Sequence, residues 1–143
     1  MPSPRETALA AIFAALGGLG GPAVDRDVTD PLTIPAGGLI ALNDGDGEVT
    51  KRGSRLAACV QHPELLVAVA GLDPAARAAA YDALLIRIDT LFQTDPSFGG
   101  RVREFEWSPP KAVALATASA AGLPIKAGLL TLGFTTVSTS PLQ

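Results

Sequence analysis

The apolar positions of this chain follow two periods, and the switch between them predicts its elements. From Leu72 to Gly100 the period is helical. Asp73 is a good N-cap and Pro74 suits the first helical position. Ala76, Ala80, Leu84, Ile88 and Leu91 or Phe92 then recur at steps of three and four, flanked by Tyr81 and Leu85. Arg77, Asp82, Arg87 and Asp89 lie largely off that stripe. The pattern predicts an amphipathic helix of about five turns, ending near Thr94 before the breakers Asp95-Pro96 and Gly99-Gly100. An earlier helix opens at Ser3, with Glu6 at capping-box spacing and Leu9, Ile12, Phe13 and Leu16 on one face. Gly17, Gly18, Gly20 and Gly21 end it and read as a flexible exit. They follow a helix instead of leading into one, and no Lys-Ser/Thr pair follows, so they do not form a phosphate-binding loop.

Elsewhere the period is two. Pro22 to Thr29 reads as a strand with imperfect alternation, followed by an extended run from Asp30 to Gly38. Gly38 to Leu42 is a short apolar strand running into the polar cluster Asn43 to Glu48, where Asp-Gly pairs predict a turn. Arg55 to Val60 is compatible with strand, and His62-Pro63 is expected to interrupt it. Glu64 to Ala70 places Leu65, Val67 and Val69 on one face and Leu66, Ala68 and Ala70 on the other. Two apolar faces put this strand inside a sheet. Arg101 to Trp107 alternates, with Arg103, Phe105 and Trp107 on one face and Val102, Glu104 and Glu106 on the other. Ala112 to Ala121 is alanine-rich and reads as either strand or loop. Gly128 to Ser138 is the last strand, with Leu130, Leu132, Phe134 and Thr136 on one face. The fold class expected is α+β. A mixed, mainly antiparallel sheet of about four to six strands carries the N-terminal helix and the long central helix on one side.

The 143 residues suit one domain, 1–143. Aromatics make up only 5% of the chain, so the core must be aliphatic with a few Phe. The formal net charge of -3 leaves no basic excess for binding nucleic acid by bulk charge, and Arg101 and Arg103 beside Phe105 and Trp107 do not reverse that. Phe105 and Trp107 fit a core or a subunit contact better than a stacking platform. Cys59 is the sole cysteine, which excludes an intrachain disulfide and fits a small buried hydrophobe. No window approaches the roughly 20 apolar residues of a membrane span, and no signal peptide is evident, so the expected site of synthesis is the cytoplasm.

One site-like feature remains. Asp44, Asp46 and Glu48, spaced by glycines, could hold a hard cation through oxygen, although the spacing departs from a twelve-residue calcium loop. That would make the chain a small cation-binding domain or a metal-dependent enzyme. The competing reading is a plain turn with no metal and no cofactor. His62 is the sole histidine, no Gly-x-Ser-x-Gly turn is present, and His62 fits a surface or edge position.

Taken in order, the landmarks resemble the tail terminator family of long-tailed bacteriophages. These are minor tail proteins that close the head-proximal end of the tail tube. The resembling features begin with the opening helix with Arg5-Glu6 and Ile12, and the strand starting Val24-Asp25-Arg26. Pro35 to Leu42 then runs into Asp44-Gly45-Asp46, and Arg52 and Arg55 precede the Leu65–Val69 strand. The helix ends in Thr94-Asp95-Pro96-Ser97-Phe98-Gly99-Gly100-Arg101-Val102, and Leu130 to Thr136 closes the set. Pro109 to Ile125 is longer and richer in alanine than the resemblance leads one to expect. The resemblance implies a structural protein and not an enzyme. It would form a homo-oligomeric, hexameric ring in the virion tail, with the tail tube protein and the head-completion or connector protein as partners. A closing ring needs one patch to face a different one. Asp44, Asp46 and Glu48 against Lys51, Arg52 and Arg55 are the interface candidates. The runs Asp30 to Gly38, Asn43 to Ser54 and Pro109 to Ile125 are expected to be reaching loops.

Overall fold

The computed structural model describes residues 2–28, 33–53, 55–115 and 123–139. Among them are two helices, α1 (Pro4–Gly17) and α2 (Pro74–Thr94), and six strands. The strands are β1 (Ala23–Arg26), β2 (Leu39–Arg52), β3 (Ala57–Ala70), β4 (Arg103–Trp107), β5 (Lys111–Val113) and β6 (Ile125–Ser138). They form one mixed sheet in the order β1-β2-β3-β6-β4, with β5 also pairing β6. Only β1 and β2 run parallel. The fold is α+β, with both helices on one face of the sheet. No helix among the described residues is long and apolar enough to cross a membrane.

Both helix starts follow from their caps. Ser3 Oγ accepts from the Glu6 N–H at 3.1 Å, and Asp73 Oδ1 accepts from the Ala75 N–H at 3.3 Å. Proline then supplies the helical φ at each first turn. The exit of α1 is tied down and not loose: the Arg87 guanidinium donates to the carbonyls of Leu19 and Gly20. On α2 the buried stripe is Tyr81, Leu84, Ile88 and Phe92. Ala76 and Ala80, expected on the stripe, are exposed, so the first turns of α2 stand clear of the core. A methyl group gains little from burial, which leaves the helix free to rotate its larger side chains inward.

The sheet separates two cores. On the helix side, Leu65, Val67 and Val69 of β3 and Leu130, Leu132 and Phe134 of β6 pack with α1 and α2. On the other side, Leu66 and Ala68 meet Ala41, Ala127 and Leu115. Phe92 sits within 4.9–5.9 Å of the rings of Phe98, Phe105 and Trp107, the first two in edge-on geometry. The indole N–H of Trp107 donates to Asp89 Oδ1 at 2.9 Å, locking β4 to α2.

Two expected interruptions are instead continuous strand. β2 runs through Asn43 to Glu48 without turning, and β3 runs through His62-Pro63. The reason is a bulge. Asn43 opposes Glu64 and Asp46 opposes His62, so Asp44 and Gly45 together face Pro63. Proline offers no N–H to the ladder, and the extra residue falls at that gap. Gly45 has φ +65, and a Cβ there would collide with the His62 carbonyl, so only glycine fits. The chain reverses later, where the Gly53 N–H bonds the Leu56 carbonyl at 2.8 Å.

A second bulge corrects the reading of β4. Arg103 opposes Thr135 and Glu106 opposes Gly133, with Glu104 at φ +53 between them. The broken alternation brings Val102 to the same core as Phe105 and Trp107, while Arg103 is exposed. Of the expected reaching loops, Asn43 to Arg52 is strand and Pro109 to Ile125 contributes β5. Residues 30–32, 54 and 116–122, parts of those loops, lie outside the described residues, as does Thr29 at the end of the first expected strand.

Truncating Phe92, whose side chain is fully buried, removes the hub of the aromatic group. Phe92→Ala is expected to lose about 3–5 kcal/mol of stability, read by urea denaturation followed through Trp107 fluorescence.

Candidate functional site

The charged residues singled out by sequence sit on the outer half of the β2–β3 hairpin. β2 is buried from Leu39 to Asn43 and exposed from Gly45 to Arg52. Its outer edge is paired to β1 only as far as Leu42, and among the described residues no strand pairs beyond that point.

The three candidate carboxylates do not converge. Asp44 lies beside Arg26, whose guanidinium contacts Asp44 Oδ1 at 2.9 Å and Glu6 Oε1 at 2.7 Å. Glu6 thus leaves the reciprocal half of the predicted capping box and ties α1 to β1. The Glu6 hydrogen bond is the main cause holding the Arg26 proton more firmly than usual, with Asp44 adding to it and burial opposing it. Because both carboxylates are nearly half exposed, the network is worth little more than a surface pair. It was missed in the sequence because Glu6, Arg26 and Asp44 belong to three separate elements.

Beyond the bulge, Asp46 and Glu48 face away from the helices. Asp46 is directly opposite His62, and Glu48 is opposite Val60. Residues directly opposite share a face. Gln61 and Cys59, alternating with these, are buried on the helix side in register with Phe134 and Thr136. The bulge therefore turns Asp44 toward Arg26 and its successors to the opposite face. Among the described residues, no three His, Cys, Asp or Glu side chains come together as a metal site.

His62 is neither on an edge nor freely exposed. It is half-buried in the central strand β3, on the outward face. The register across the sheet continues through Gly133 to Glu106. The Glu106 side chain lies over Gly133, whose missing Cβ would sit 3.1 Å from Glu106 Cγ. Asp46, His62 and Glu106 thus form one row across four strands, a row invisible without the register.

At the hairpin end, Lys51 opposes Ala58 and Arg52 opposes Ala57. A further bulge at Thr50, between Val49 and Lys51, puts Lys51 on the same face as Glu48. Arg55 is exposed in the turn region. Among the described residues, Asp46, Glu48, Lys51, Arg52 and Arg55 form no ion pair within the chain. Arg101 and Arg103 lie on the opposite edge of the sheet, beside Pro4 and Thr135 to Val137. Cys59 is a buried free thiol. An open apolar recess of about 360 Å³ lies between α2 and the β4–β5 connection, lined by Leu85, Ile86, Trp107, Pro109, Pro110 and Leu130.

The Asp95 to Gly100 segment is a built turn. Asp95 accepts from Ser97 Oγ at 2.6 Å and from the Gly99 N–H at 2.8 Å, and Phe98, Gly99 and Gly100 all have positive φ. The turn aims Phe98 into the core.

No protein-family model matches the chain, and no curated protein sequence is significantly similar to it.

Ser97 Oγ, and then the Gly99 N–H, hold the Asp95 carboxyl below its ordinary value of 3.8. A depressed folded-state value means the charged form favours folding. Its contribution is present above pH 3.8 and fades as pH falls through the lower folded value. Asp95→Asn is therefore expected to be less stable than wild type at neutral pH, with the difference shrinking as pH falls below 3.8. Urea melts across an acid pH series check this.

Proposed function

We propose that this chain is a structural subunit of a phage or prophage tail. It would act as a terminator, capping the head-proximal end of the tail tube as an oligomeric ring and joining the tube to the head connector. The reading starts from the ordered landmarks of the sequence, and one structural observation supports it most. Five charges, Asp46, Glu48, Lys51, Arg52 and Arg55, are grouped on an exposed hairpin without an ion-pair partner among the described residues. Charges arranged in this way are available to a neighbouring subunit. Asp44 drops out of the interface set, because Arg26 already holds it.

A ring also needs rigid bodies that present the same two surfaces repeatedly. The sheet supplies them, with the edge of β2 that is unpaired among the described residues at one side and β4 with Arg103 at the other. On this reading the protein belongs in the virion tail, and in the host cytoplasm during assembly. The alternative of a cation-binding domain or metal-dependent enzyme gains no support from the placement of Asp44 on the face opposite Asp46 and Glu48.

Purified chain added to polymerising tail tube subunits from the same source is expected to give tubes capped at one end, with growth arrested, in negative-stain images. Tubes that grow unchanged would reject the terminator role. Calorimetry against magnesium and calcium would then test the cation-binding reading.

A further inference from the structure

We propose that the outer edge of β2 is a self-complementary docking strand that pairs antiparallel with the same edge of a second copy across a two-fold axis. Three observations carry this. The first is the open edge: from Asp44 to Arg52 the backbone of β2 is paired on one side only among the described residues. Unpaired strand groups are a template for another strand.

The second is the order of charge. Along this edge the chain reads Asp46, Glu48, Val49, Thr50, Lys51, Arg52, acidic at one end and basic at the other. Antiparallel self-pairing brings the acidic end of one copy to the basic end of its partner. A parallel arrangement puts like beside like. Lysines and bulges on an edge usually prevent promiscuous pairing; here the charge order leaves one partner and one direction open.

The third is the Thr50 bulge. Without it, Glu48 and Lys51, three positions apart, would point to opposite faces. With it they share the outward face, Glu48 opposite Val60 and Lys51 opposite Ala58. When the axis passes between Val49 and Thr50, Glu48 lies directly opposite Lys51 of the second copy. Asp46 is then the diagonal neighbour of the same lysine. The two-fold repeats both contacts. Val49, exposed at 41%, is covered at the centre. β2 keeps its pairing with β3, and β3 its pairing with β6.

This contact is isologous, whereas a closed ring is built from heterologous ones. It therefore describes the free chain and does not depend on the tail reading; the tube-capping assay and the test below can fail separately.

The test is sedimentation velocity of the full chain over a concentration series, with hydrogen exchange on the same samples. Wild type is expected to shift from monomer to dimer as concentration rises, with added protection confined to amides within residues 46–52. Glu48→Lys creates two like-charge contacts and Lys51→Glu creates four, counting the diagonals to Asp46, and both are expected to weaken the dimer by at least about tenfold. An equimolar mixture of the two variants restores both directly opposed contacts and is expected to dimerise more tightly than either variant alone. The double variant E48K/K51E restores the same two contacts but sets Asp46 diagonal to a carboxylate on both sides of the axis, so it is expected to fall between the single variants and wild type. Both residues are exposed, so folding is not at stake. The proposal is overturned by a wild type that stays monomeric throughout. It is equally overturned by single variants that dimerise normally, by a mixture no better than its components, or by a dimer without protection in residues 46–52.

Discussion

Everything else in this fold answers to the double burial of β3. Leu65, Val67 and Val69 need a cover on one face, and Leu66 and Ala68 need one on the other. A strand with two apolar faces must lie inside a sheet and inside a layer. The first requirement sets β2 and β6 at its sides. The second puts α1 and α2 over one face, and the segments carrying Ile34, Val113 and Leu115 over the other. The helix side is the thicker of the two, and it takes the aromatic group and the longest side chains.

The parts legible in the sequence are those where burial follows an unbroken period. Leu65 to Val69 and Leu130 to Thr136 alternate cleanly and were placed on the correct faces. Ser3 and Asp73 declared the helix starts. The misreadings in the strands share one physical cause, which is that bulges change the period without a sequence signal of their own. Asp44-Gly45 has the composition of a turn, yet it sits in mid-strand because Pro63 opposite it cannot donate. The bulge at Glu104 reversed the faces read for Val102 and Arg103. Alanine misled differently: Ala76 and Ala80 are equally at home in a core or in water, so their spacing carried no information about which face α2 buries.

The charged groups divide along the same bulge. Glu6, Arg26 and Asp44 knit α1, β1 and β2 together within the chain. Past Gly45, Asp46, Glu48, Lys51 and Arg52 have no such partners among the described residues, and Asp46, Glu48 and Lys51 face outward. Composition alone treated them as one cluster, because proximity in sequence does not distinguish the two faces of a strand. The candidate surface was therefore legible as a segment, and its division into an internal and an external set was not.

The order of the strands also has a consequence for synthesis. β3 is complete at Ala70, but its second neighbour, β6, begins at Ile125 and ends at Ser138. At about 5–20 residues per second, the strand waits on the order of 3–14 s on the translating ribosome for that neighbour. During that interval the β2–β3 hairpin and α2 can form, since both are local. One side of an apolar strand nonetheless stays open, and it can be taken by any other unfinished copy nearby. Polysomes, which hold such copies side by side, are where this protein is most exposed to wrong pairing, and the rate at which β6 emerges sets how long that exposure lasts.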